Sequence, residues 1–529
     1  MLTKWGLTNF KSIYHADLDL APLTVLTGTN SSGKSSLIQS ILMLAQTMQN
    51  PFCENNTLML NGPLVKLGLP ESIQSFSPEK DGSETDKTAL GIRWAYRAFT
   101  EEEMFRVSGV LFDSFDDDVL GPPEWTNIDE LVTGYPFPYK LRTKTDKKYI
   151  RWDSVKTEVL FDRDEKFGYF LKEIGYELDY TVSDSQLKIN NLNILTEQRH
   201  AEMKAKKKKE GYTMGEDSIK NRENALFLIK EVKPRIPVEK GKKSLEVSIS
   251  DFIPRQFFGT PDNCPWESKD VPTEYAVLNH DIKDCFSRVK YLGPLRFQGP
   301  LYEFSGSSNK IDVGYDGRYT ASVIHILYNQ ENRVLCYEKR GDEVGVSGVS
   351  GLPFHEYLDM WLRNLGVAEG VKVTPTKHGY EIQAIIKSGG VEQEVDINHV
   401  GTGLSHVLPV VVMGLVSSPG SFLIFDQPEM YLHPRVQSRL ADFFIEMALS
   451  GRQCIIETHS EYFISQLRYR ISKALMKNEK EMPEKEPLFL KDLPKTGIPE
   501  LVKIYFASKK DGKSEFKEIK VTKYGGLSE

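Results

Sequence analysis

An α/β fold with a mixed, largely parallel sheet core, divided into two lobes by a large α+β insertion and closed by a C-terminal β-hairpin, is predicted by three observations. A glycine-rich loop, GTNSSGKSS from Gly28 to Ser36, follows the apolar run LTVL and opens the helical stretch SSLIQSILMLAQTM. Far downstream, the continuously apolar runs SFLIFD and QCIIETHS flank the helical pattern RVQSRLADFFIEMAL, the strand–helix–strand crossover from which parallel sheets are built. The tail ELVKIYFASKKDGKSEFKEIKVTKYG alternates on both sides of Asp511-Gly512, as a hairpin does.

In chain order, WGLTNFKSIYHADLDL reads as strands ahead of the glycine-rich loop, and LMLNGPLVKLGL and ALGIRWAYRAF read as further strands after it. The loop has P-loop spacing: Gly28, four residues, then Gly33-Lys34-Ser35. In such a loop, the backbone of Gly28, Asn30, Ser31, Ser32, Gly33 and Ser36 closes around phosphate oxygens, Lys34 places a point charge on the β/γ-phosphates and the Ser35 hydroxyl reaches Mg²⁺. The following helix turns its positive end toward the anion. Residues 1–100 are therefore expected to form an N-terminal lobe that binds ATP with Mg²⁺.

Residues 101–287 differ in character, with turn clusters VLGPPEW and TGYPFPYK and the charged stretch HAEMKAKKKKEGYTMGEDSIKNREN. Frequent Pro and Gly without sustained heptads exclude a long coiled-coil arm and predict a folded, partly charged insertion. Residues 288–475 read as a second lobe: YLGPLRFQGPLYEF, the helices TASVIHILYN and FHEYLDMWLRNLG, a hairpin around Ser-Gly-Gly in GYEIQAIIKSGGVEQEVDI, and then the crossover. Ahead of the crossover VGTGLSH, residues 400–406, makes a glycine-serine turn at a helix N-terminus, a second anion site. Residues 476–529 are expected as a small β-rich extension.

Composition narrows the function classes. The chain has 529 residues, 40% hydrophobic and 27% charged, enough for several ordinary domains. A net charge of −7 argues against a uniformly basic coat, so contact with DNA or RNA must come from local patches. The candidates are Lys204, Lys206, Lys207, Lys208 and Lys209, followed by Arg235, Lys240, Lys242 and Lys243, with Glu202 and Glu210 diluting the first run. DSFDDDVL, from Asp113, is the dense acidic cluster and reads as a solvated loop. Cys53, Cys264, Cys285, Cys336 and Cys454 form no CxxC pair, which gives neither a zinc site nor a disulfide framework and implies a reducing compartment. No apolar run approaches the roughly 20 residues that span a bilayer, and the start is not that of a signal peptide; a cytoplasmic protein without membrane contact is expected.

Three downstream motifs complete the pattern. FLIFD is an apolar strand ending in Asp426, the Walker B arrangement, which would hold Mg²⁺ opposite Ser35. CIIETHS ends a second buried strand with His459 where it could reach a γ-phosphate. With one P-loop and two anion sites, one site is suited to use in trans. The opening LTNFKSI, the loop GTNSSGKSS, LIFDQPEMYLHP and ETHS together resemble the ABC-type ATPases, specifically their SMC, RecF and OLD-like branch rather than the transporters. LNGPLVKLG, YLGPLR and YFASKKDG resemble a prokaryotic AAA-type subgroup with a short C-terminal domain of unknown function, related to ATPases of Septu and OLD-type phage defence. The resemblance covers about residues 1–95 and 288–529.

What the resemblance implies is an ATP-glued, head-to-tail homodimer or higher assembly, in which Gly401, Gly403 and Ser405 of one subunit cap the nucleotide of its neighbour; VGTGLSH departs from the usual LSGGQ of that turn. Lys11 and Ser12 match nucleotide-contacting positions of the branch. The implied role is a nucleotide-gated switch controlling an effector such as an HNH-type nuclease in DNA-related or anti-phage defence. A DNA repair or recombination clamp that binds DNA directly, or an ATP-driven nuclease, are the alternatives; the chain after His459 carries no DxD cluster for cutting.

The pattern breaks at Gln427, where the ABC-type ATPases ordinarily carry the Glu that polarises the attacking water. An amide orients water but cannot take its proton, and a positioned general base is worth about 10²–10⁴ in rate. Three readings stay open: a natural Gln427 giving a slow ATPase or an ATP-gated clamp, Glu429 serving as base instead, or an introduced Glu-to-Gln change. The resemblance favours the first.

Overall fold

The computed structural model describes residues 1–50, 57–75, 89–97, 139–142, 147–164, 168–183, 236–237, 246–250, 253–258, 285–297, 299, 302–303, 311–329, 333–339, 347–475 and 498–528. The lysine-rich and acidic stretches singled out above, with Cys53 and Cys264, lie outside the described residues.

The chain opens with strands β1 (Leu2–Phe10) and β2 (Ile13–Asp19), which pair antiparallel, then β3 (Leu23–Gly28) and helix α1 (Lys34–Gln49). Next come β4 (Leu90–Arg97), β5 (Tyr139–Arg142), β6 (Lys147–Asp164), β7 (Gly168–Ser183) and β8 (Ile236–Pro237). They join β1 and β2 in one antiparallel sheet ordered β2-β1-β4-β6-β7-β8, with β5 beside β6. Strands from the insertion thus continue the sheet of the N-terminal lobe. A separate hairpin, β9 (Glu246–Ser250) and β10 (Ile253–Phe258), follows.

The second lobe runs β11 (Val289–Leu292), α2 (Thr320–Asn329), the hairpin β12 (Arg333–Lys339) and β13 (Ser347–Pro353), and α3 (Phe354–Leu365). A three-stranded sheet of β14 (Gly370–Pro375), β15 (Tyr380–Ser388) and β16 (Val391–Asp396) precedes α4 (Gly403–Val416). The crossover is β17 (Phe422–Asp426), α5 (Pro434–Leu449) and β18 (Gln453–Glu457), continued by α6 (Glu461–Leu475). The short helix α7 (Ile498–Leu501) leads into β19 (Val502–Lys510), β20 (Lys513–Val521) and β21 (Leu527–Ser528).

The central sheet has the order β11-β17-β18-β3-β19-β20-β21, its first five strands parallel. β17 and β18 are buried at every position, as strands covered on both faces must be, which is why Phe422–Phe425 and Cys454–Ile456 are unbroken apolar runs. Phe422, Ile424 and Ile455 point into one core with α1 and the antiparallel sheet, while Leu423, Phe425 and Ile456 point into the other with α3, α4 and α5. Each buried Leu, Ile or Phe in these layers contributes about 1.5–3 kcal/mol. Trp5 ties the first layer together: its ring stacks on Trp94 across β1 and β4, and its indole N–H donates to Ser40 Oγ of α1 at 3.0 Å. On the far layer, α6 is fixed to α5 by a buried ion pair, Arg470 to Asp442 at 2.7 Å.

One local expectation changes. LMLNGPLVKLGL forms no strand; it is an irregular loop in which the Gln46 amide of α1 accepts from Leu64 N and Val65 N and donates to Met59 O. One side chain serves the backbone that a neighbouring strand would have served. The tail, expected as a small β-rich extension with a hairpin, places β19 directly beside β3, with Val502 opposite Leu23 and Ala507 opposite Gly28. It therefore builds the sheet that carries the P-loop. The approach is close enough that a Cβ on Gly28 would lie 2.0 Å from the Ala507 carbonyl oxygen. Gly33, with φ +100, faces the next strand, and a Cβ there would lie 2.3 Å from Ser514 Oγ. Gly33→Ala is expected to lose about 1–2 kcal/mol from the left-handed backbone alone, measurable as a lower urea midpoint at unchanged slope.

Candidate nucleotide site

Gly28, Asp426 and Glu457 end three parallel strands at the same edge of the sheet, and a cavity of about 860 Å³ opens there. Asn30 through Ser36 line it from the loop and the start of α1, Lys11 and Ser12 from the β1–β2 turn, Tyr14 from β2, and Gln427, Glu457 and His459 from the strand ends. Lys509, Asp511 and Gly512, at the tip of the β19–β20 hairpin, close its far wall. The hairpin is locked to the site by Ser514: its backbone N donates to Ser12 O at 2.8 Å and its hydroxyl meets Ser12 Oγ at 2.7 Å.

The loop folds as its sequence dictates. Positive φ at Gly28, Ser31 and Gly33 turns the chain sharply from β3 into α1. Lys34 is almost fully buried, and its ammonium donates to Thr29 O at 2.8 Å and Gly28 O at 3.3 Å. Burial lowers its pKa, while Glu457 and Asp426 act to raise it. Lys11 donates to Gln39 Oε1 at 2.5 Å, and burial lowers its pKa too.

Beneath the loop lies a cluster of buried acids. Asp426 and Glu457 are register partners on β17 and β18. Ser35 Oγ donates to Glu457 Oε1 at 3.1 Å, and the Tyr291 hydroxyl donates to Asp426 Oδ2 at 3.4 Å. The buried Arg296 guanidinium donates to the Asp426 backbone carbonyl at 3.2 Å. Burial pushes the Asp426 carboxyl up to about 6 against the pull of Arg296. Burial, reinforced by Asp426, pushes Glu457 up to about 7. Burial holds the Arg296 guanidinium down at about 10.

Gln427 sits in the left-handed region at φ 45, its backbone N donating to Glu457 O at 2.9 Å. Glu429 is buried and does not line the cavity; its Oε1 accepts from His459 N at 2.8 Å, which clips the loop after β17 to the loop after β18. His459 lines the cavity, and burial followed by Lys34 lowers its pKa. The residues of the glycine-serine turn lie elsewhere. Gly401 is exposed, Gly403 begins α4 beside Tyr431 and Leu432, and Ser405 Oγ donates to Thr402 O at 2.8 Å. None of the three lines the cavity.

Glu457, Tyr291, Arg296 and the hairpin tip were not picked out from sequence as site residues. Glu457 carries a signal there nonetheless, since an apolar strand ending in a carboxylate is the same pattern that marks Asp426.

The arrangement suits a polyphosphate: a loop of backbone N–H groups, the N-terminus of a 16-residue helix and a buried ammonium. The donor set also fits magnesium. Two adjacent carboxylates and a serine hydroxyl are hard oxygen donors, and Mg²⁺ in such sites takes one or two carboxylates with the remainder from phosphate and water.

The AAA ATPase domain family matches residues 1–272 and 359–464. Among solved structures, the chain is similar to an Smc head bound to the C-terminal winged-helix domain of ScpA, at 12% identity and TM-score 0.39, covering 99% of this chain and 98% of that one. It is similar to the SMC head domain from Thermotoga maritima at 9% identity and TM-score 0.34, covering 98% and 99%. An Smc head with extended coiled coil bound to the C-terminal domain of ScpA derived from Pyrococcus furiosus matches at 12% identity and TM-score 0.37, covering 98% and 96%. These likenesses are distant. No curated protein matches the chain.

Proposed function

The chain belongs to the AAA ATPase domain family, and from that premise we propose that it binds Mg-ATP at the cavity over the P-loop, hydrolyses it slowly, and uses the bound nucleotide to gate association of two copies. The observation that carries the reading is the single cavity shared by Asn30–Ser36 and by Gln427, Glu457 and His459, loop and strand ends converging from opposite parts of the chain. Lys34 and the loop amides hold the β- and γ-phosphates, Ser35 and Asp426 hold Mg²⁺, and His459 sits at the γ-phosphate end. Bound Mg²⁺ supplies charge neutralisation at the phosphates. Gln427 orients water without accepting its proton, which keeps turnover slow. Equilibrium binding of a fluorescent ATP analogue with and without Mg²⁺ tests the assignment.

The gating role draws support from the position of the glycine-serine turn. Within one chain Gly401, Gly403 and Ser405 stay off the cavity, so a role for them at the nucleotide bound there requires a second copy. The output we propose is control of a protein effector, a nuclease such as an HNH enzyme being the class the sequence resemblance implies, with DNA or RNA contact assigned to local basic patches. Gly401 is the position at which to test the turn. A Cβ there would meet no atom within 4 Å, so an added side chain leaves the single chain undisturbed. Gly401→Arg is expected to retain ATP binding and lose ATP-dependent dimerisation by steric clash. Sedimentation velocity with Mg-ATP checks it; a variant that still dimerises removes this turn from the interface.

A further inference from the structure

Glu457 has features that a structural carboxylate lacks. Its side chain is 2% exposed, yet it lines the cavity, and only Oε1 is hydrogen-bonded, to Ser35. Oε2 is buried with no hydrogen-bond partner. Its neighbour across β17 and β18 is Asp426, a second buried carboxylate. Two buried acids side by side, one oxygen unsatisfied, repel each other and lose hydration, a costly arrangement when nothing positive compensates it. Lys34 lies close enough to act electrostatically on both, but its ammonium donates to the loop carbonyls of Gly28 and Thr29. A divalent cation satisfies such a pair, and the Ser35 hydroxyl beside it is the P-loop group expected to take one.

Building on the Mg-ATP reading, we propose that Glu457 is the second carboxylate of the magnesium site and supplies, from the neighbouring strand, the negative charge that Gln427 does not. Oε1 holds the Ser35 proton, which leaves the serine lone pairs for the cation, and Oε2 adds charge beside Asp426. Charge placed at the end of β18 rather than after β17 lies under the P-loop serine, so Glu457 acts on metal affinity.

The test uses the full chain and manganese as the probe. Mn²⁺ is titrated, followed by electron paramagnetic resonance, in the presence of a non-hydrolysable ATP analogue; analogue affinity is measured separately in EDTA. Glu457→Gln keeps an oxygen for the Ser35 hydroxyl and removes the charge. It is expected to weaken Mn²⁺ binding about tenfold or more while analogue affinity in EDTA stays the same or rises, since a negative charge near the phosphates is gone. Glu457→Asp, which keeps the charge on a shorter stem, is expected to fall between the two and guards against misfolding of the Gln variant. Unchanged Mn²⁺ affinity in Glu457→Gln overturns the proposal, and so does a variant that binds Mn²⁺ normally but no longer hydrolyses ATP, which makes Glu457 a proton acceptor instead. Failure of the nucleotide reading itself has a different signature: the parent chain would bind no analogue, with or without metal.

Discussion

Lys34→Ala is expected to weaken ATP binding by about 1.5–3 kcal/mol, on the order of 10- to 100-fold, the worth of hydrogen bonds to a charged group. The ammonium is buried at the start of α1 and reaches loop carbonyls at 2.8 and 3.3 Å, a position that Lys11 and Lys509, which line the cavity from other elements, do not occupy. Its removal also takes away a positive charge that acts on both Asp426 and Glu457, and metal-free nucleotide binding should suffer more than Mg-ATP binding because Mg²⁺ restores part of the lost charge. Titration of a fluorescent ATP analogue with and without Mg²⁺ measures both. Parent-like affinity in both conditions would place the nucleotide somewhere other than this cavity.

Gln427→Glu is expected to raise single-turnover ATP hydrolysis tenfold or more, against the roughly 10²–10⁴ that a positioned general base contributes. The side chain lines the cavity, and its backbone is held at φ 45 by a hydrogen bond to the Glu457 carbonyl, features a Glu can retain. Glu429→Gln is expected to change the rate little, because Glu429 lies off the cavity and an amide oxygen can still accept from His459 N. A near-silent Gln427→Glu with a strongly impaired Glu429→Gln would move the base to Glu429. If neither variant alters a very low rate, the protein is a clamp held shut by ATP and released by exchange or by its partner. Quench-flow with excess protein separates these outcomes, provided that both variants still bind ATP.

The parts of this molecule visible in sequence are those whose physics is local. The P-loop shows because glycines, lysine and serine must stand at fixed spacing within one turn, and β17 shows because a doubly buried strand must be apolar throughout. The hairpin around Asp511-Gly512 is equally local, set by a turn that needs positive φ at both positions. What stayed hidden depends on pairing. Whether Glu457 stands beside Asp426, and whether Lys509 and Asp511 border the P-loop, follows from the order of strands in the sheet, which no single stretch encodes. The segment from Leu58 to Leu69 failed as a strand for a related reason: its apolar alternation is real, but Gln46 of α1 occupies the backbone groups that a partner strand would need.

The pairing of β3 with β19 sets an order of events during synthesis. Ser12 and Ser514 meet beside the P-loop although 502 positions separate them, and the strand that ends at Gly28 has its two neighbours in β18 and β19. A nascent chain that has emitted only the first lobe can form α1 and the antiparallel sheet, but the P-loop strand waits, its edges unpaired, until β18 and β19 have left the ribosome. Closing so long a loop is slow, and the exposed edges are where premature association begins. A polypeptide stopped before Val502 therefore keeps every P-loop residue and lacks the strand against which the loop is shaped.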